Sequence, residues 1–526
     1  MHTTEKLKTG FFQKEIKISF SKFFLACMIY LVLPIVIFFF GYLKIWWAIL
    51  FSILTVGSAA WAYLDIAKKK SEPALAEAEK SVTIKASYFL WLIPFALFFL
   101  YLGGVGEFGW SIGDHRVRYA TLNDLINYKW PVIYDFSTQK NPVVAETLGE
   151  GKVAFAYYFV FWMVPAVVGK LFGLLAARIT LLIWSAIGLI LVTLGALILY
   201  GKQSRFLFIG LIIFAGFDIF PYLFNEYVRG FGATWEDWTW HFRVVGNFYQ
   251  IMNVFHQSIP GWLVTILLLL CTNSKSIGLF GSLMFCYSPW AAIGILPMCI
   301  CKIVVTNRKL KAKEVLKNLF TIGNLVAPVV FIVCFATFYT ANSNATYDYG
   351  FIWTFYESKP TMLIDYLAYV VFEFGLWVLL IHKKYKKDWM FWCAVATMLI
   401  IPIYKMSGPN DLLMRGSMAP LFTICLYAVM FVNDSFNEMM EKGNKKVKPR
   451  LIVLSLLVAA YTSFNFMLTS TLLTFMTYTK IEPETDIKTG IESFGNINDE
   501  QYIVMVQAQF YVYDYENNVF FKYLAK

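Results

Sequence analysis

The run FFLACMIYLVLPIVIFFFGYL occupies residues 23–43 and contains no charged residue. At a helical rise of about 1.5 Å per residue it is long enough to cross a hydrocarbon core of roughly 30 Å. Lys44 follows, and a second apolar run (about 45–66) begins at once, with no small-residue cleavage site between the two. The pair therefore reads as a retained helical hairpin and not as a signal peptide. The rest of the chain follows the same pattern. Of 526 residues, 59% are hydrophobic, 19% aromatic and only 15% charged. An ordinary soluble enzyme carries about 25% charge, so that class is excluded. If half the residues sit in spans of about 20, roughly 13 helices result. The apolar runs lack the alternation of an outer-membrane barrel.

The formal charge of +11 is concentrated in short loops between apolar runs, at Lys68 to Lys70, Arg308 to Lys313, Lys383 to Lys387 and Lys442 to Arg450. This is a positive-inside pattern, not a nucleic-acid stripe, so no nucleic-acid partner is expected. The eight cysteines lie in or beside apolar runs, which argues against a disulfide framework or a Cys-based zinc site. With basic loops in the cytoplasm, spans are expected at about 23–43, 45–66, 87–104, 175–200, 206–224, 259–273, 277–290, 291–306, 316–341, 361–382, 389–404, 419–433 and 451–478. Val153 to Leu171 is read as an interfacial helix, because counting it as a span would invert every later basic loop; Tyr157, Tyr158 and Trp162 then suit the headgroup boundary.

The expected fold is an all-α polytopic membrane protein of about 13 transmembrane helices, with jaw-like interfacial helices in a large first outer loop. Its parts are an N-terminal three-helix segment (1–104), the outer loop (105–174), a transmembrane core (175–478) and a small outer C-terminal tail (479–526). The N-terminus is expected in the cytoplasm and the C-terminus outside. Lys-rich composition without processing signals points to a bacterial inner membrane. No internal repeat relates the two halves, which argues against an inverted-repeat transporter. The outward segments 105–174, 225–258, 342–360 and 405–418, with the tail, are the places available for chemistry.

Gly113-Asp114-His115-Arg116-x-Arg118-Tyr119 opens the first of these segments. A carboxylate flanked by cations stays ionised and can act as a base or bind a cation; the alternative is a capped, solvated turn. Asp218 lies in the outer third of an apolar span, where an ionisable group costs roughly 2.5–3.5 kcal/mol and normally faces a protein-lined cavity. Arg178 stands at the mouth of the fourth span, and Arg415 lies among Gly, Pro and Ser in a short outer loop. Guanidinium groups at that depth clamp phosphate oxygens, or simply anchor the interface. The stretch Trp235-Glu236-Asp237-Trp238-Thr239-Trp240-His241-Phe242-Arg243, continuing through His256 and Gln257, interleaves aromatics, acids and amides as sugar-binding surfaces do. Interfacial Trp residues are also common in any membrane protein. Glu373 is near the middle of its span, as a proton relay or a protonated core residue would be. There is no P-loop, Rossmann fingerprint or Gly-x-Ser-x-Gly elbow. Asn344-Ala345-Thr346 fits a glycosylation sequon.

The order of these parts resembles the GT-C superfamily, the polytopic glycosyltransferases that use polyprenyl-phosphate-linked sugars. The acidic motif at Asp114 sits in a large first outer loop. Jaw-like helices (about 122–129 and 153–171) follow, then an Ala-Arg pair ending in Arg178, then a second acid at Asp218. The resemblance covers mainly residues 105 to 260. It implies that Asp114 is the catalytic carboxylate, with Asp218 as the second acid. Arg178, Arg415 and Arg116 would hold the donor's lipid phosphate, and His115, Trp238, His241, Arg243 and Gln257 would contact sugar. A divalent cation (Mg or Mn) at Asp114 and Asp218 is left open, since Asp-His-Arg stands where many members have paired acids. The implied partners are a polyprenyl-phosphate sugar, membrane lipid, and a cell-surface glycan, lipid or protein acceptor. The alternatives are a glycan polymerase or ligase using lipid-pyrophosphate donors, and a transporter or flippase of lipid-linked glycans.

Overall fold

The first apolar run folds as α1 (Phe20–Tyr42), and Lys44 turns the chain into α2 (Ile45–Lys68). Along α1, Phe24, Cys27, Leu31, Ile35 and Phe38 are buried at helical spacing, while Leu25, Ile29, Leu33 and Phe40 are exposed. A helix that is apolar on its exposed face as well as its packed one suits an apolar surrounding. The structure is a computed structural model and describes residues 10, 12–68, 80–137, 151–230, 236–342, 348–441, 447–479, 493–496 and 510–526; for residues 113, 114, 116, 117, 441 and 496 it describes the backbone alone. The sequon at Asn344, together with Trp235 and Lys70, lies outside the described residues.

The helices continue as α3 (Ser87–Leu102), α4 (Gly113–Asn127), α5 (Met163–Phe172), α6 (Leu174–Tyr200), α7 (Arg205–Ile213), α8 (Ile219–Tyr227), α9 (Asn247–Leu270), α10 (Ile277–Tyr287), α11 (Pro289–Asn307) and α12 (Ala312–Leu319). After them come α13 (Ile322–Tyr339), α14 (Lys359–Tyr385), α15 (Trp389–Ile400), α16 (Asp411–Gly416), α17 (Met418–Glu441), α18 (Val447–Ala459) and α19 (Tyr461–Thr479). Among the described residues eight helices are long and apolar enough to cross a membrane, namely α1, α2, α6, α9, α11, α13, α14 and α17. The pair α18 and α19, bent by 44°, makes a ninth if it is one span.

The sequence predicts thirteen spans, and the differences have physical causes. Three of the expected spans fall on α3, α10 and α15, with 16, 11 and 12 residues. These are short of the roughly 20 that a bilayer requires. The expected span at 206–224 is divided into α7 and α8, because the backbone turns extended at Phe214 and is not helical again until Asp218, past Gly216. The expected span at 259–273 starts instead at Asn247, since the polar half of α9 is helical too. Every residue of α9 is buried, enclosed by α6, α10 and α17 among others. Its Val254 departs from helical geometry (φ −138°, ψ 35°) ahead of Pro260, which has no N–H to give the preceding turn.

The segment at 153–171 does not form a single helix. It is a strand (β4, Lys152–Phe155), a short 3-10 turn (Val160–Trp162) and then α5. Trp162 is fully buried, with its ring 4.3 Å from that of His256, and Tyr157 is buried as well. Trp162 therefore packs on α9, and Tyr157 on Tyr158 and Phe510, inside the protein and not on its surface.

Small sheets close both ends of the bundle. β1 (Glu15–Ser19) pairs antiparallel with β2 (Ser81–Lys85), next to the start of α1. At the other end β3 (Ile133–Asp135), β4 and β7 (Tyr511–Val512) form one sheet, so the first large loop and the tail share a cap. Tyr134, Phe155, Phe494, Phe510 and Tyr511 fill its core. The last residue reaches α1, with the Lys526 N–H donating to the Tyr42 carbonyl at 3.0 Å. The segments that follow α13 and α15 are also joined, by pairing of β5 (Tyr349–Phe351) with β6 (Tyr404–Met406).

Candidate functional site

The break between α7 and α8 is held against an irregular turn of α14. The Phe217 N–H donates to the Phe372 carbonyl at 2.7 Å, and the Trp377 indole to the Ala215 carbonyl at 3.0 Å. From Val370 to Gly375 α14 is wound as a π-helix, a local widening that often marks function. It carries Glu373 to Asp218. A Cβ at Gly216 would stand 2.8 Å from a Glu373 oxygen and 3.0 Å from an Asp218 oxygen, so glycine makes room for both. The Trp238 indole N–H lies 3.3 Å from Asp218 Oδ1 and 3.3 Å from Glu373 Oε1. A third acid, Glu236, accepts from the Gly246 N–H at 3.1 Å. Asp218, Glu236 and Glu373 are all buried. Burial pushes the Glu236 carboxyl well above its ordinary range, and the Asp218 carboxylate adds to the effect. Acids this close share protons, because like charges in a dry site cannot all ionise.

Trp238 also lines a cavity of about 470 Å³, with Thr239, Trp240, His241, Tyr356, Asn225, Arg229 and Asp365. Arg229 Nη1 is 2.8 Å from Asp365 Oδ1, and the Tyr356 hydroxyl donates to Asp365 Oδ2 at 3.0 Å. Asn225 donates to the Trp238 carbonyl and fixes the loop. Burial, then the Lys405 ammonium, lowers His241 below its ordinary value. Rings interleaved with a guanidinium, an amide and a carboxylate give the cavity apolar faces beside hydrogen-bonding groups.

A second, basic site forms on the N-terminal half of α9. Along α4, His115, Arg118, Leu122 and Leu125 are buried on one face. Arg118 Nη1 donates to Asn253 Oδ1 at 3.1 Å. Arg415 on α16 is buried and ion-paired with Asp411. Gly294 of α11 sets its position, because a Cβ there would collide with the Gly416 carbonyl. Both guanidiniums lie within electrostatic reach of the Tyr157 hydroxyl and the His256 ring. Gln257 pairs with His256 at 2.9 Å. Asn410, at the start of α16, donates to the His241 carbonyl at 3.0 Å and ties this site to the aromatic cavity.

The residues expected to act together are thus distributed over several sets of partners. Asp218 and Trp238 meet, and His241 shares the cavity with Trp238. Arg178 instead pairs with Glu107, whose backbone takes φ 61° in the turn before α4. Burial raises the Glu107 carboxyl to about 7, against the pull of Arg178. Arg178 is therefore engaged in holding this turn onto α6. Arg243 pairs with Asp237 and donates to the Tyr249 hydroxyl at 2.9 Å. His115 is buried, with its ring nitrogens on the Met252 carbonyl and, at 3.2 Å, the Tyr119 hydroxyl; it packs on α9 and not on an open sugar surface. Gln257 is likewise inside the bundle. The side chains of Asp114 and Arg116 lie outside the described residues, although the helix that carries them starts at Gly113.

Glu236, Arg118 and His256 stand in the motifs quoted from the sequence but carry no role of their own there. The role of Arg118 is signalled by its spacing, three residues after His115 and four before Leu122 on one helical face. Among the described residues no group of three or more His, Cys, Asp or Glu has an arrangement able to hold a metal ion. Comparison of the chain with protein-family models, curated proteins and solved structures found no match.

Proposed function

We propose that the protein is a glycosyltransferase of the cell membrane, moving a sugar from a polyprenyl-phosphate donor to a glycan, lipid or protein acceptor of the cell envelope. One observation carries this reading. The Trp238 ring lines a sugar-sized cavity while its N–H touches two buried acids, Asp218 and Glu373. The basic pair Arg118 and Arg415, tied to that cavity through Asn410, supplies charge for the lipid phosphate. In the reaction the acceptor oxygen bonds to the anomeric carbon as the bond from that carbon to the phosphate oxygen breaks. The electron pair leaves with the phosphate, the hydroxyl proton passes to a carboxylate, and the anomeric centre inverts. The resemblance gives the base role to Asp114. The guanidiniums stabilise charge developing on the phosphate, and the cavity orients the sugar.

The test is transfer by purified protein in lipid nanodiscs, supplied with polyprenyl-phosphate sugar and an envelope acceptor. Wild type is expected to release polyprenyl phosphate and glycosylated acceptor in equal amounts, and Asp114→Asn to do neither. Undiminished transfer by that variant removes Asp114 from its role, and no transfer by wild type with any donor overturns the reading.

The three buried acids favour one second reading, a proton-coupled transporter of lipid-linked glycans, since Glu373 sits within a span on a widened turn. Proteoliposomes separate the two readings. A transporter moves labelled lipid-linked glycan in response to a pH gradient without cleaving it, and a transferase cleaves it without a gradient.

A further inference from the structure

The end of the bundle opposite the aromatic cavity holds a second cavity, of about 560 Å³, and its chemistry is different. The two lie far apart. Asp365 of the aromatic cavity and Lys384 of the second stand on one helix, α14, about 28 Å from one another by helical rise. The charged lining of the second cavity consists of Lys80, Lys202, Lys302, Lys384, Asp388 and Asp434. Four ammoniums face two carboxylates, a formal excess of +2.

Both carboxylates are already committed to the protein. Asp434 accepts from Lys384 at 2.6 Å and from the Tyr200 hydroxyl at 2.7 Å, with Lys202 at 3.4 Å. Asp388 caps α15 by accepting from the Met390 N–H at 2.8 Å, and accepts from the Tyr427 hydroxyl at 2.7 Å. Lys302 is only 8% exposed, yet among the described residues it has no acid within ion-pair distance. One of its three protons goes to the Leu269 carbonyl at 3.2 Å, at the end of α9. The others have the cavity before them. Asp388 acts on Lys302 only from beyond ion-pair distance, so an anion entering the cavity is its nearest counter-charge.

We infer that this cavity binds a phosphate-bearing anion, with Lys302 and Lys80 as its principal contacts and Lys202 and Lys384 on the flank. The same chemistry is offered by the headgroup of an acidic membrane lipid and by a soluble phosphate ester. Basic pockets between membrane helices hold acidic headgroups in this manner. The site is independent of sugar transfer, since none of its residues lines the aromatic cavity.

The experiment uses the full chain in nanodiscs of phosphatidylcholine containing a minor share of phosphatidylglycerol, with retained lipid counted by native mass spectrometry. Wild type is expected to enrich phosphatidylglycerol over its bulk share by about tenfold or more, and Lys302→Gln to abolish the enrichment. Lys80→Gln provides a second variant outside the helices, with a loss of several-fold expected if Lys302→Gln does not fold. Glycerol phosphate, added to detergent-solubilised protein, separates the sources. Saturable binding that Lys80→Gln weakens, without lipid enrichment, assigns the site to a soluble ester; enrichment that glycerol phosphate does not displace assigns it to a lipid. Equal retention of both lipids together with no binding of glycerol phosphate overturns the inference, as does enrichment unchanged in both variants.

Discussion

Asp218 and Glu373, on different helices, share one donor: the Trp238 indole N–H stands 3.3 Å from an oxygen of each. Trp238→Phe keeps the ring and removes the donor. A hydrogen bond to a charged group contributes about 1.5–3 kcal/mol, so the variant is expected to unfold several degrees earlier and to bind donor sugar less tightly. Thermal unfolding followed by intrinsic fluorescence measures the first effect and donor KM the second. A variant equal to wild type in both removes the indole from the cluster's support.

Gly216 leaves space for the same two carboxylates. Gly216→Ala drives a methyl group toward both, and overpacking of this kind costs about 1–3 kcal/mol. The expected result is a lower unfolding midpoint, partly restored by Glu373→Gln in the same chain, because the isosteric amide removes the charge repulsion that the methyl group aggravates. Destabilisation equal in the single and double variants shows that the methyl group acts through the backbone alone.

Gly294 lets α16 approach α11 and so sets the position of Arg415. Gly294→Val is expected to raise donor KM about tenfold or more, much as Arg415→Ala does, while acceptor KM changes little. If the two variants move different parameters, this helix contact does not position the guanidinium.

Asp124 provides a pH signature outside the spans. Burial raises its carboxyl from 3.8 to about 6, although the Tyr134 hydroxyl and the Phe494 N–H both donate to it. Between those values the folded protein holds a proton that the unfolded chain has released, so stability falls as pH rises through that window. Asp124→Asn is expected to flatten this slope. Unfolding midpoints from pH 3.5 to 7 decide the matter, and a steeper fall in the variant contradicts the assignment.

The helical, membrane-type architecture was legible because apolar length alone specifies it, as in α1 and α6. The ends of α9 were not. Asn247, Gln250, Asn253, His256 and Gln257 lower the hydropathy of its first half, yet all are buried, satisfied in part by bonds to neighbours that only the folded chain supplies. Asp218, Trp238 and Glu373 were each conspicuous in the sequence as polar or aromatic groups near apolar runs. Their meeting was not, because it depends on the π-turn of α14 and the break at Gly216. Arg178 was misleading for the opposite reason. Its neighbour Glu107 is 71 residues away, and no local pattern connects them. The strands β1 and β2 left a trace in their alternation of Ile or Val with polar residues, which the longer apolar runs beside them obscured.

The cap over the aromatic end joins strand β4, near residue 154, to Val512. A ribosome completes every helix between those positions before it supplies the closing strand. During synthesis the rim of this end therefore stays open while the bundle assembles beneath it, and its sheet is finished after insertion is over. A pulse-labelled nascent chain will reach protease resistance in its membrane helices first and in strands β3 and β4 last.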